Sequence, residues 1–321
     1  MNRGHRIIAL MKELQSMPEY ELVTSLTGFN ISIFTFDKNF IELKSMIEFL
    51  TTDPRADHLF WLRNRDQLSQ VLYNIIRLLH NYVASALSLI DHTMRLHHKL
   101  SSQPPRFPEY GARVASEFTS DPLTQFVRGL REYCQHYRSP NLSVKVSWKP
   151  GDERETRTIW LLKDDLVSFD GWSAPAKAFL ATVADNVNVL ETATTFREKV
   201  IDFNRWFQER QQQIHAPEIE NYRVKENELL TLTLEDKIEL ALANKDRDIP
   251  RERDEIFLSI FSSSEFAELE TFALDSPERA ERATELLQRY YPVPEHIKQG
   301  IMRWYLEVGS KLKGGMDNSA A

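Results

Sequence analysis

A single cysteine, Cys134, occurs among 321 residues. A lone thiol cannot close an internal disulfide, and it leaves no cysteine-based zinc motif. Glycine is also scarce, at 10 residues. No glycine-rich phosphate loop, dinucleotide fingerprint or nucleophile elbow is present, which argues against nucleotide-fuelled and hydride-transfer enzymes and leads to an expectation of no cofactor. No apolar run approaches the ~20 residues that a bilayer span requires, so no membrane segment is expected. The opening MNRGHRIIALMKELQ has only a short apolar run, broken by Lys12 and Glu13 and followed by no small-residue cleavage site. No signal peptide is expected, and a cytoplasmic location fits best.

What is abundant is charge and apolar residues in the proportions of a globular chain, 27% and 42%. The net charge of −7 is uneven. Residues 217–321 hold 14 Lys/Arg against 22 Asp/Glu, whereas residues 1–216 hold 26 against 25. The near-neutral first two-thirds has room for a local basic groove but not for the broad basic face of a dedicated nucleic-acid binder. The acidic last third suits a protein partner.

The periodicity predicts an all-α architecture with one β-hairpin. Residues 65–100 contain no Gly or Pro, and Leu68, Leu72, Ile75, Leu79, Tyr82, Ala86, Ile90, Met94 and His97 recur at three- and four-residue steps, which gives one long helix. Its further apolar residues Ile76, Leu78, Val83, Leu87 and Leu89 lie off that stripe and call for cover on several sides, hence a homodimer. Pro104, Pro105 and Pro108 in SSQPPRFPEYG end the ladder. A second helix begins with Asp121 as N-cap and Pro122 at its first position and is closed by Pro140. In 141–148 Leu142, Val144, Val146 and Trp148 alternate with polar residues, KPGD turns, and ETRTIWLL returns, so a hairpin spans 142–161. A third long helix is expected over 183–214, antiparallel or nearly so to the first with the second between them. Shorter helices follow: LEDKIELALA, about 254–274, one capped by Asp275 or Ser276, and one from Pro294 to Leu312. Residues 6–60, with the mixed apolar run FNISIFTF, resist assignment.

One short stretch carries chemistry: RGLREYCQHYRSP, residues 128–140, sets Arg131 five positions before His136. The spacing alone is weak, because 25 Arg and 9 His predict about 0.7 such pairs by chance, and a second copy, Arg210 with His215, does occur. Context separates the two. The first sits at the end of a helix that follows a very long one, with a proline-terminated turn directly after it. In that arrangement residues 65–214 resemble the HEPN family, α-helical domains whose active members are metal-independent ribonucleases defined by an Arg, a polar residue, three further positions and a His. The resemblance implies that Arg131 and His136 take the catalytic positions, that the protein dimerises and acts on RNA, and that the setting is toxin–antitoxin or phage defence. The family's polar position is most often Asn, Asp or His and here is Glu132, whose carboxylate would repel phosphate.

The chemistry is coherent with those residue types. Metal-free cleavage of RNA needs a base for the 2′-hydroxyl proton and a cation for the charge of the transition state, the roles of His136 and Arg131. Arg128 and Arg138 would line the groove with Glu132, and Gly129 would allow close approach. Residues five apart on an α-helix point about 140° apart, so one helix does not readily aim both at one phosphate. The competing reading of His136 is a C-terminal cap that complements the helix dipole. Tyr133, Tyr137 and Cys134 read as core or border residues. His92, His97 and His98 lack metal-ligand spacing, so no metal is expected, and Asp164 with Asp165 reads as a solvated turn. The expected organisation is an N-terminal helical segment, 1–64; a HEPN-like bundle, 65–216; a C-terminal helical region, 217–312; and a disordered tail, 313–321. The alternative function is a non-catalytic scaffold for dimerisation or partner docking.

Overall fold

The computed structural model of the chain describes residues 3–100, 107–148, 155–243, 257, 260–274, 276–290 and 292–316. Among these the polypeptide is helical apart from one small antiparallel sheet, so the fold is all-α with a minor β element. It divides into two compact units, Glu21–Ala216 and Met1–Tyr20 with Pro217–Ala321. The KPGD turn, most of the 101–111 linker and residues 317–321 of the expected tail lie outside the described residues.

Residues 3–60 supply what the periodicity left unassigned. They form α1 (Arg3–Ser16), α2 (Tyr20–Thr52) and a tight 3₁₀ turn at Pro54–Phe60. In α2 Phe29, Phe36, Phe40, Leu43, Ile47 and Leu50 are buried at helical steps, while Ile31 and Phe34 of the FNISIFTF run face outward. Residues 1–64 are therefore no segment of their own: the first twenty fold with the C-terminal residues and the rest with the bundle.

The bundle in Glu21–Ala216 is built on α2, α3 (Arg65–Leu100) and α8 (Val189–Ile214). Tyr82 Oη donates 2.9 Å to Ala193 O, and Thr93 Oγ1 lies 3.1 Å from Asn204 Oδ1. Both pairs are separated by 111 positions, so α3 and α8 run parallel, not antiparallel. The antiparallel partner of both is α2. Phe36 stacks on Tyr82 at 5.3 Å and Ser32 Oγ meets His92 Nδ1 at 2.7 Å, while Asp37 pairs with Arg197 and Phe29 packs on Phe207. The expectation failed because it left α2 out of the bundle. Leu78, Val83 and Leu89 of α3 are buried within the chain and Ile76 and Leu87 partly so, which removes the apolar excess that suggested a second copy.

Between α3 and α8 the chain forms α4 (Glu109–Val114), a π-helical turn at Ala115–Thr119, α5 (Pro122–Glu132), a second π-helical turn at Tyr133–Tyr137, strands β1 (Leu142–Ser147) and β2 (Thr156–Leu161), α6 (Lys163–Val167), α7 (Ala174–Thr182) and strand β3 (Val187–Asn188). Asp121 caps α5, its side chain accepting from Thr124 N at 2.8 Å with Pro122 at the first position. Helix α5 packs on α3, α7 and α8. The hairpin pairs Leu142 with Leu161 through Ser147 with Thr156 and gains a third strand, because Val187 pairs with Leu161 before Asn188 turns into the N-cap of α8. A two-residue strand is too short to show alternation, so the sequence reads it as helix. Val146 and Trp148 are exposed, so the core under β1 ends at Val144.

In the other unit α9 (Ala216–Ala243) absorbs the expected LEDKIELALA helix. Helix α10 (Ser263–Leu269) is shorter than the expected 254–274 and is opened by a capping box of Ser262 and Glu265; residues 254–256 and 258–259 lie outside the described ones. Ser276 caps α11 (Pro277–Gln288), and α12 (Glu295–Met316) runs into the expected tail. Ile238, Phe257, Leu269, Leu286, Ile301 and Tyr305 form the core of this unit.

Candidate active site

The end of α5 is where the local geometry departs from an ordinary helix. Arg138 N–H donates to Tyr133 O at 3.0 Å, a bond across five residues that opens the turn. Such a turn advances less per residue than an α-helix and so narrows the angle between positions 131 and 136. π-turns of this kind recur at functional sites.

Glu132 spans what remains. Its Oε1 accepts from Arg131 Nη1 at 2.9 Å, and its Oε2 stands 3.6 Å from His136 Nε2, an ion-pair distance too long for a hydrogen bond. The carboxylate read from sequence as a repulsive neighbour thus sits between the arginine and the histidine. The His136 side chain is 68% exposed and that of Arg131 35%. Arg131 spends one of its five donors on Glu132 among the described residues, and its Nε is shielded from solvent with no partner. A half-free guanidinium beside an open imidazole is an arrangement able to hold an anion next to a base.

The other predicted site residues divide. Arg128 is exposed and has no ion-pair partner among the described residues. Arg138 does not line a groove: Nε donates to Tyr133 Oη at 2.7 Å, and Nη2 reaches Asp165 Oδ1 at 3.1 Å and Ser168 Oγ at 3.3 Å. It clamps the π-turn to α6. Asp165 also accepts from Asn141 Nδ2 at 2.5 Å, so it anchors a structural junction and is no mere solvated turn. Gly129 is required by packing, since a Cβ there would stand 2.5 Å from Trp172 Cε3. The room that the sequence reserves for substrate is filled by an indole whose Nε1 donates to Leu166 O at 2.6 Å.

Tyr133 is fully buried against Phe169 and Trp172, while Tyr137 is 48% exposed with Arg138 over its ring at 5.3 Å. Burial pushes the Cys134 thiol up to about 12, which makes it a packing group rather than a nucleophile. His97 stacks on Tyr110 at 3.7 Å, and burial, then the neighbouring His98, holds its pKa below the ordinary value. Among the described residues no three His, Cys, Asp or Glu side chains come together as a metal site, and no helix is long and apolar enough to cross a membrane.

Two clefts flank this region. One of about 760 Å³ opens at the sheet beside Lys145, Trp160 and Glu191. The other, of about 490 Å³, lies between α3 and the π-turn and includes Tyr73, Arg77 and His80, which the sequence reading passed over. Their spacing of four and three on α3 was the available signal, hidden because none of them belongs to the apolar stripe. No family model matches the chain, and no curated protein or solved structure does.

Proposed function

We propose that the protein is a metal-independent endoribonuclease with its reacting groups at the end of α5. His136 Nδ1 takes the proton from the 2′-hydroxyl, whose oxygen bonds to the phosphorus as the P–O5′ bond breaks and the 5′-oxygen leaves with a proton from water; Arg131 holds the charge that develops on the phosphate, and the Glu132 carboxylate faces Nε2 at 3.6 Å. The observation that carries this reading is the single carboxylate joining Arg131 to His136 across an opened helical turn. The resemblance to the HEPN family supports it and suggests a toxin–antitoxin or phage-defence setting and a homodimer.

The test is cleavage of single-stranded RNA by the purified chain in the presence of EDTA, with products ending in a 2′,3′-cyclic phosphate. Absence of cleavage by folded protein would reject the reading. It would leave a non-catalytic interaction scaffold, a reading favoured by the internal ties of Arg138 and by an acidic last third suited to a protein partner.

A further inference from the structure

Tyr73, Arg77 and His80 occupy one face of α3 and look across the cleft at Cys134, Ser139 and Asn141. Each of the three has binding capacity to spare. Tyr73 is 62% exposed, and its ring has no aromatic partner among the described residues. Arg77 is exposed and has no hydrogen bond or ion pair among them. His80 Nε2 is shielded from solvent and meets no hydrogen-bonding group of the protein. His80 lines the same cleft with the rest of its ring. The two exposed groups are the components of single-strand recognition: a flat aromatic face for a base and a guanidinium for a phosphate. The volume, about 490 Å³, is in the range of pockets that take one small-molecule-sized group.

We infer that this cleft holds one nucleotide of a single-stranded nucleic acid, its base on Tyr73 and its phosphate against Arg77, with the His80 ring as part of the wall. The inference rests on the ribonuclease reading for the identity of the chain that is bound. Ser139 and Asn141 follow His136 by three and five residues. A strand held here therefore continues along the turn that carries the base, and the cleft becomes the substrate subsite next to the scissile phosphate.

Binding is separable from cleavage by using a fluorescein-labelled single-stranded DNA 12-mer, which lacks the 2′-hydroxyl and cannot be cut by this chemistry. Anisotropy titration with the full chain gives the affinity. Tyr73→Ala should weaken binding about 10-fold, within the range for losing one stacked base, and Tyr73→Phe should retain it. Arg77→Ala should weaken binding and lower the slope against log salt by about one. Both residues are exposed, so these variants keep the fold, and Arg210→Gln serves as a control that binds like the wild type. No binding of the 12-mer, or binding unchanged in both Tyr73→Ala and Arg77→Ala, overturns the inference. Weakened binding in those variants together with a wild type that cuts no RNA sinks the ribonuclease reading and leaves the cleft as a nucleic-acid site. RNA cleavage with binding indifferent to Tyr73 and Arg77 does the reverse.

Discussion

Two helix ends in this protein carry Arg-x4-His, and they have become different things. At the end of α5 the turn opens, Glu132 stands between Arg131 and His136, and the histidine faces solvent. At the end of α8 the turn stays α-helical, with His215 N–H donating to Gln211 O at 3.0 Å. There the histidine is buried at 7% exposure, and Arg210 turns away to Glu109 at 2.8 Å and to Gln213. Two residue types at a fixed spacing do not define a site: the pitch of the helix between them and the third group that links them do.

The comparison breaks most visibly in catalysis. His136→Ala and Arg131→Ala should each lower RNA cleavage by roughly 10²-fold or more, the scale for removing a general base or a transition-state donor, with the circular dichroism spectrum preserved. Arg210→Gln should cut at the wild-type rate. A loss in Arg210→Gln as large as that in Arg131→Ala would erase the distinction between the two ends.

A smaller effect isolates the linking group. Glu132→Gln retains an oxygen for Arg131 but removes the charge that faces His136. We expect a fall of about 10-fold, far below the ~10⁴ of a hydrogen-bonded orienting carboxylate, because Glu132 faces Nε2 at 3.6 Å without a hydrogen bond, with substrate affinity unchanged or improved as repulsion of phosphate is relieved. A rate rising above the wild type would show the carboxylate to be an inhibitory neighbour.

At the other end the expected cost is in stability. His215→Ala removes a buried side chain and should destabilise the fold by about 1–3 kcal/mol, read as a lower urea midpoint, while cleavage per folded molecule stays unchanged. The histidine is unsuited as a silent control for this reason, and the partly exposed Arg210 is the better one.

The smallest effect concerns how the two helices start. Asn188 caps α8 and does not titrate, whereas Asp121 caps α5. Burial pushes the Asp121 carboxyl up, but donors from Lys199 and Thr124 outweigh this and leave it below its ordinary value of 3.8. A group lowered on folding contributes stability that is complete above its unfolded value and is lost as the pH falls through the lowered one. Asp121→Asn should therefore cost little as a cap, since Asn and Asp cap about equally well, but should flatten the acid limb of the stability curve measured by urea titration between pH 2 and 5. An unchanged acid limb would remove Asp121 from that role.

Much of this was legible in the residues. The cap of α5, the span of α3 and the span of the hairpin follow from local signals: Asp121 before Pro122, the unbroken three- and four-residue steps of 65–100, and Leu142 alternating with polar neighbours. What escaped depends on partners distant in sequence. Helix α2 was obscured because Ile31 and Phe34 put apolar residues on its outer side between Phe29 and Phe36, blurring the period. The core side of α3 drifts from Met94, which is exposed, to Thr93 and Leu96, and no sequence stripe anticipates that a buried threonine will meet Asn204. At the site, Arg131 and His136 could be named, but the opened turn has no local signature. The fate of Arg138 was decided by Asp165 and Ser168, brought to it from beyond the hairpin.

The π-turn at Tyr133–Tyr137 also acts as a counter. An opened turn spends one residue more than an α-helical turn over the same stretch of axis. Residues before it keep the three-and-four rhythm that seats Phe126, Val127 and Leu130 in the core, and residues after it enter a strand whose rhythm is two. In a strand, parity decides which side chains face inward, and a shift of one exchanges the two sides. Pairing with β2 sets the phase in which Leu142 and Val144, rather than Ser143 and Lys145, lie on the side of Ile159 and Leu161, and the opened turn with residues 138–141 is the length of chain that must deliver them so. A chain shortened by one position between Tyr133 and Tyr137 would restore a regular helix and leave residues 138–141 to cover the lost length if Leu142 and Val144 are to keep facing the core.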